Sequence, residues 1–68
     1  MSRQGERRDT VLEILREATK PLGLEAIYRT AGLNSLTTLH ALHQLELDGL
    51  VLRKRHPSRR AFIWGPRG

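Results

Sequence analysis

The spacing of apolar residues changes once along this chain, at Gly49, and that change constrains the fold more than any other feature. Before Gly49, apolar residues recur at the three- to four-residue intervals of amphipathic helices. After it, short runs separated by turn residues have the spacing of strands. A chain of 68 residues is long enough for one domain with a small core. The sequence therefore predicts a mainly α domain with a C-terminal β-hairpin.

The first predicted helix covers about 10–18, where apolar residues lie on one face. Its N-cap is Asp9 or Thr10, with Glu13 positioned to close a capping box on Thr10. Pro21 breaks the pattern because proline lacks a backbone donor and restricts the residue before it. Residues 1–8 are polar, rich in arginine and without periodicity, so a disordered basic arm is expected there, followed by a domain over 9–66.

Two further helices are predicted close together. A short one begins at about Leu24 and ends at Gly32, in the left-handed cap position. The next covers about 35–48, with Asn34 as its N-cap and Gly49 as its terminal glycine. The few residues between them, around a glycine, have the length of the turn in a helix-turn-helix, whose second helix enters the major groove of DNA.

The remaining chain is predicted to form the hairpin. Residues 50–55 and 59–64 are the two strands, His56-Pro57-Ser58 is the turn, and Gly65-Pro66 ends the second strand. Val51, Phe62 and Trp64, or their neighbours, are expected to bury the base of the hairpin, with Trp64 as a lid on the core.

Positive charge is concentrated in this hairpin. Residues 1–49 carry six Lys/Arg and seven Asp/Glu, whereas residues 50–68 carry six Lys/Arg and no acid, within a net charge of +5. Such one-sided charge is typical of a protein with a polyanionic partner. Five basic residues cluster at the hairpin tip and are predicted to contact the phosphate backbone of DNA: Arg53, Lys54, Arg55, Arg59 and Arg60.

The third predicted helix has a narrow polar face and a broad apolar one. Thr37, His40 and Gln44 form one line and are predicted to contact DNA bases, while Asn34 and Ser35 at the helix start are predicted to contact the DNA backbone. Leu42 and Leu45 are predicted core residues. The other leucines allow two interpretations, namely packing under the hairpin or exposure as a protein-docking edge; they are Leu36, Leu39 and Leu47.

Several classes of function are not expected. The chain has no cysteine, and no acid completes a metal site with His40 and His43. No nucleophile–base pair or glycine-rich phosphate loop occurs, so neither an enzyme nor a cofactor is expected. No segment has the apolar length of a signal peptide core or a membrane span. A cytoplasmic, nucleoid-associated protein is therefore expected.

The segment Leu45-Glu46-Leu47-Asp48-Gly49-Leu50-Val51 resembles the end of recognition helices in bacterial winged-helix regulators. The same register is fitted by Ala31-Gly32-Leu33, Thr37, Leu42 and Leu45. The chain is most similar to the N-terminal DNA-binding domain of IclR-type regulators, whose wings also end in an apolar residue followed by Gly-Pro, as Trp64-Gly65-Pro66 does. The resemblance covers about 9–66 and implies a winged helix-turn-helix, with three helices plus a wing, the β-hairpin. It implies groove reading by Thr37, His40 and Gln44 and backbone contacts by the wing, but no effector ligand.

A second resemblance is to Z-form nucleic-acid binding domains, which also combine a wing proline with a tryptophan, as Pro57 and Trp64 do. Those domains depend on an asparagine and a tyrosine four residues apart, where this chain has Leu39 and His43. The sequence thus favours a small transcriptional regulator or accessory protein that binds double-stranded DNA, with helix 34–48 in the major groove and wing 53–60 on the backbone. The alternative is a protein-interaction module docking through Leu36, Leu39 and Leu47. A second copy of the chain or another protein is a further candidate partner.

Overall fold

The computed structural model describes the backbone of residues 3–67 and the side chains of residues 7–67. The elements in chain order are α1 (Arg3–Glu17), β1 (Leu22–Gly23), α2 (Leu24–Ala31), α3 (Ser35–Leu47), β2 (Val51–Arg55) and β3 (Phe62–Pro66). The three strands form one antiparallel sheet in the order β1-β3-β2. Three helices followed by a hairpin are the winged helix-turn-helix architecture, which confirms the predicted fold class.

Helix α1 begins well before the predicted start. It includes Arg3 to Arg8, where a disordered arm was expected, and Thr10 lies inside it, so the predicted capping box is wrong. Arginine, glutamine and glutamate favour helix, so the lack of apolar periodicity in this segment did not exclude a helix. The Arg8 guanidinium contacts the Asp48 carboxylate at the end of α3, at 2.7 Å. Met1 and Ser2, in the predicted arm, lie outside the described residues.

The predicted ends of α2 and α3 and the predicted N-cap of α3 are confirmed. Gly32 and Gly49 both have positive φ, +70° and +74°, as left-handed caps require. After α3, the Leu50 amide donates to the Leu45 carbonyl at 2.9 Å, which closes the helix end. At its start, the Asn34 Oδ1 accepts from the Thr37 amide at 2.7 Å, as expected of an N-cap.

The core lies between the three helices and one face of the sheet. Its buried apolar side chains come from α1, α2, α3, β2 and β3; they are Val11, Leu12, Leu15, Ile27, Ala41, Leu42, Leu45, Val51 and Trp64. Leu42 and Leu45 are therefore core residues, as predicted. The buried polar side chain of Thr38 also faces this core, and its Oγ1 has no hydrogen-bond partner within the described part of the chain.

The sheet differs from the predicted hairpin in two ways. A short strand, β1, pairs Leu22 with Trp64 and was not predicted, because two residues after a proline carry no strand pattern. The second hairpin strand covers Phe62–Pro66 rather than 59–64, so the connecting loop includes residues 56–61. Within this loop the His56 amide donates to the Ala61 carbonyl at 2.8 Å. The wing is therefore a shorter hairpin with a longer basic tip than expected.

Candidate nucleic-acid interface

Helix α3 presents one face to the core and the opposite face to solvent. Thr38, Ala41, Leu42 and Leu45 are buried and lie on the inner face. Residues about 180° away on an α-helix form the outer face. These four residues, which we call the outer stripe, are all exposed and follow one another at helical spacing: Leu36, His40, His43 and Leu47. The outer stripe is the part of α3 that a groove would meet first.

The predicted base contacts follow one another at helical spacing, but their line runs along one edge of the outer stripe and not along its centre. His40 belongs to the outer stripe and is exposed. Gln44 is exposed on the flank of the stripe, while Thr37 is half-buried on the same flank and its amide is capped by Asn34. His43, which was not among the predicted base contacts, also lies on the stripe. A helical wheel centred on Thr38 and Ala41 as core residues would have placed His43 on the outer face.

The leucines of α3 separate into two groups. Leu36 and Leu47 have 74% and 80% of their surface exposed. Leu39 is half-buried and packs against the core. Of the three leucines, only Leu39 therefore packs onto the core, and the proposed docking edge is reduced to the two leucines at the ends of the outer stripe.

The wing is attached to α3 through a cluster around Trp64. The Trp64 Nε1–H donates to the Glu46 Oε1 at 2.9 Å, and the Arg53 Nε lies 3.8 Å from the same oxygen. The Arg53 guanidinium also lies 4.5 Å from the centre of the Phe62 ring, within cation–π distance. Trp64 is 5% exposed, which confirms it as a lid on the core, whereas Phe62 remains exposed, so its predicted burial is wrong. Phe62 instead supports Arg53.

The basic residues of the wing lie on both faces of the hairpin. Paired residues of antiparallel strands share a face, and neighbours in a strand alternate between faces. Arg53 pairs with Trp64 and Arg55 with Phe62, so these residues form the front face, on the side of α3. Lys54 pairs with Ile63 on the opposite, back face. The predicted single cluster is thus divided, with exposed Arg59 and Arg60 in the loop between the strands.

Lys54 has different surroundings from its two neighbours. It lines a shallow cleft on the back face, together with Lys20, Pro21 and Leu52. Arg53 and Arg55, by contrast, lie on the face that adjoins α3. The structure therefore does not place Lys54 on the surface that contains the outer stripe.

Negative charge on α3 is confined to its C-terminal end. Glu46 contacts Trp64 and Arg53, and Asp48 pairs with Arg8. No acidic residue occurs between Ser35 and Leu45. A polyanion that approaches the outer stripe would meet no acidic side chain along the N-terminal part of α3.

The described residues include neither a metal-binding cluster nor a membrane-spanning helix. In this part of the chain, no three histidine, aspartate or glutamate side chains come close enough together to hold a metal ion. None of the helices among the same residues has the length and apolar character that crossing a membrane requires.

Solved structures with the same architecture include two Zα domains and a bacterial domain. The Zα domain of PKZ from Carassius auratus, solved in complex with Z-DNA, has a TM-score of 0.83 at 17% identity, covering 97% of this chain and 100% of that one. The apo-Zα domain of zebrafish PKZ also has a TM-score of 0.83, at 18% identity, over 96% of this chain and 97% of that one. These identities establish the fold alone.

The third structure is the homodimeric winged helix-turn-helix DNA-binding domain (fragment 1–100) of Mb0332 from Mycobacterium bovis, a possible ArsR-family transcriptional regulator. It has a TM-score of 0.78 and 27% identity, over 93% of this chain. This chain covers 55% of that fragment. No protein-family model and no curated protein matches the chain. The winged-helix fold is thereby shown, while a specific closeness to IclR-type regulators is not.

Proposed function

We propose that this protein binds double-stranded DNA, with α3 in the major groove and the front face of the wing on the phosphate backbone. The observation that carries the proposal is the contact between Trp64 and Glu46, which holds the wing against α3. Because of this contact, the face of the wing with Arg53 and Arg55 adjoins the helix that presents the outer stripe. A basic surface next to an exposed helix is the arrangement by which winged helices bind duplexes.

The proposed roles follow the position of each residue. His40, on the outer stripe, is best placed to contact a base, and the sequence-based assignments of Thr37 and Gln44 remain predictions. The proposed backbone contacts are Asn34, Ser35, Arg53, Arg55, Arg59 and Arg60. Of these, Arg53 already contacts Glu46 and the Phe62 ring, so we expect Arg55 and the two loop arginines to contribute more to the affinity for DNA. Lys54, on the back face, retains at most a long-range electrostatic effect.

The proposed biological role is that of a small transcriptional regulator or accessory DNA-binding protein, without enzymatic activity and associated with the nucleoid. The bacterial domain described above, at 27% identity, supports this class. The similarity of Leu45–Val51 to the recognition helices of bacterial winged-helix regulators supports the same class and does not extend to an effector ligand. We propose that the DNA-binding unit includes α1 to β3 as one domain.

Right-handed duplex is favoured over Z-form DNA by the side chains present. The two positions at which Z-form binding domains carry asparagine and tyrosine are Leu39 and His43, and Leu39 packs against the core. The chain therefore has no amide at the first position. Parallel titrations with ordinary and brominated alternating d(CG) duplexes would separate the two forms of DNA, and a preference for the brominated duplex would contradict this choice.

The test of DNA binding is a fluorescence-anisotropy titration with a random duplex at several salt concentrations. If three to four phosphates are neutralised, log K should fall with log salt with a slope of about −3 to −4. A variant with glutamate at Arg53, Arg55, Arg59 and Arg60 should lose binding while keeping the wild-type circular dichroism spectrum. Tight binding by this folded variant would refute the proposal.

A second candidate function is protein interaction through the exposed leucines. Leu36 and Leu47 support it, because both expose most of their surface. The partner would be another protein or a second copy of the chain, as in the homodimeric bacterial domain. Sedimentation equilibrium with and without DNA distinguishes these cases. A dimer that dissociates when both leucines are replaced by alanine, with no measurable DNA binding, would favour this function over the first.

A further inference from the structure

We propose that Leu36 reads the C5 methyl group of a thymine in the major groove, beside a base contacted by His40. This inference rests on the proposed DNA binding and adds a determinant of sequence preference to it. It concerns a residue whose exposure has no explanation in the fold, since Leu36 is 74% exposed and belongs neither to the core nor to the residues packed against it.

The geometry places Leu36 and His40 together. They are four residues apart on the outer stripe, so their side chains are neighbours on the same helical surface. Leu36 lies in the first turn of α3, after the Asn34 cap. In helix-turn-helix proteins the first residues of the second helix contact the base edges. Leu36 is therefore among the side chains that would lie deepest in the groove.

The charge of α3 supports the same orientation. Glu46 and Asp48 lie at its C-terminal end, where they would repel phosphates, and the N-terminal part has no acid. DNA would therefore come closest to Leu36 and His40. Leu47 is about 16 Å further along the helix, at a rise of about 1.5 Å per residue, and lies between the two acids in sequence.

The chemistry of the groove identifies the ligand. The base edges of the major groove present hydrogen-bond donors, acceptors and one apolar group, the thymine methyl. An exposed leucine has no hydrogen bond to offer, so the thymine methyl is the base-edge group that it recognises. Contact with this methyl removes apolar surface from water on both sides and stabilises the complex.

The experiment compares two duplexes that differ only in these methyl groups. A preferred site is first selected from a randomised duplex pool, and the same site is then prepared with deoxyuridine in place of every thymine. Each lost methyl contact should weaken binding about fourfold, from roughly 0.8 kcal/mol per buried methylene-sized group. Leu36→Ala should remove this difference, while Leu47→Ala, the matched exposed leucine outside the groove, should preserve it.

The outcomes separate this inference from the proposed function. Equal affinity of the wild-type protein for both duplexes would overturn the role of Leu36 and leave DNA binding in place. A thymine preference that survives in Leu36→Ala would also overturn it, because the preference would then come from DNA shape or another residue. Absence of binding to any duplex would refute the proposed function itself. Circular dichroism of both variants checks that they fold.

Discussion

Two adjacent residues of β2 provide the sharpest test of the wing. Arg55 lies on the front face, beside α3, and Lys54 lies on the back face. Both are exposed, and replacing either by glutamate changes the net charge by the same amount. Nonspecific electrostatic attraction would treat Arg55→Glu and Lys54→Glu alike, whereas a defined interface would not.

The expected difference follows from distance. Replacing attraction by repulsion for a charge about 4 Å from a phosphate changes the binding free energy by roughly 2 kcal/mol in water. Screening with a Debye length of about 10 Å at 0.1 M salt reduces this to roughly 1.3 kcal/mol, or tenfold in affinity. A charge on the back face is roughly one Debye length further away, so Lys54→Glu should weaken binding by less than about twofold.

The assay is fluorescence anisotropy with one duplex across salt concentrations of about 50 to 200 mM. Arg55→Glu should also reduce the magnitude of the salt slope by about 0.9, the contribution of one phosphate contact, while Lys54→Glu should leave it close to wild type. Thermal unfolding of both variants serves as the control for folding. If both variants lost the same affinity and the same amount of salt slope, DNA would not distinguish the two faces of the wing. The reasoning from strand register would then fail.

Further predictions concern the core and the contact between wing and helix. Thr38→Val should raise the free energy of unfolding by about 1 kcal/mol, because it removes a buried hydroxyl for which the described residues provide no hydrogen-bond partner. A lower melting temperature of the variant would show that this hydroxyl is hydrogen-bonded. Glu46→Gln keeps an acceptor for Trp64 but removes a negative charge, so it should strengthen DNA binding a few-fold. Glu46→Ala removes the acceptor and should lower the unfolding free energy by about 1–2 kcal/mol, as measured by urea denaturation. If Gln44 pairs with a base, Gln44→Ala should weaken the binding free energy by about 1–3 kcal/mol on a preferred site and by little on a random duplex. An equal loss of binding free energy on both duplexes would show that Gln44 contacts the DNA backbone.

The parts of the fold that depend on neighbouring residues were predictable from sequence. Gly32 and Gly49 adopt the left-handed conformation that a helix end requires, and Asn34 caps α3. These features are decided within a few residues by backbone sterics and local hydrogen bonds. Trp64 was also predictable as a lid, because a small core requires the large apolar area of a tryptophan.

The parts of the fold that depend on tertiary contacts were not predictable from sequence. The first turns of α1 have no apolar stripe, and β1 consists of two residues whose pairing with β3 exists only in the folded chain. The two faces of the wing follow from a register in which Arg55 pairs with Phe62. The sequence placed the second strand three residues too early, and a register error changes which side chains share a face.

The outer face of α3 differs in detail from the sequence-based prediction. Polar residues of α3 were predicted to contact bases, while burial or exposure of the leucines beside them stayed open. In the structure the inner face includes Thr38 and Ala41, which rotates the outer face toward Leu36 and His43. The rotation is a consequence of how α1 and the sheet pack on α3, which hydrophobicity along one helix does not reveal.

Glu46 explains how the wing can be held in place and still bind a polyanion. Its carboxylate accepts from Trp64 and thereby sets the position of the wing, yet it adds a negative charge beside the proposed interface. Arg53, 3.8 Å away and stacked on Phe62, offsets that charge, and so part of its own charge is already compensated. We therefore expect most of the phosphate attraction to come from the arginines without an acidic neighbour among the contacts described above, namely Arg55, Arg59 and Arg60. Since these lie further along the wing, the contact that partly compensates Arg53 should favour a DNA backbone position near the wing tip.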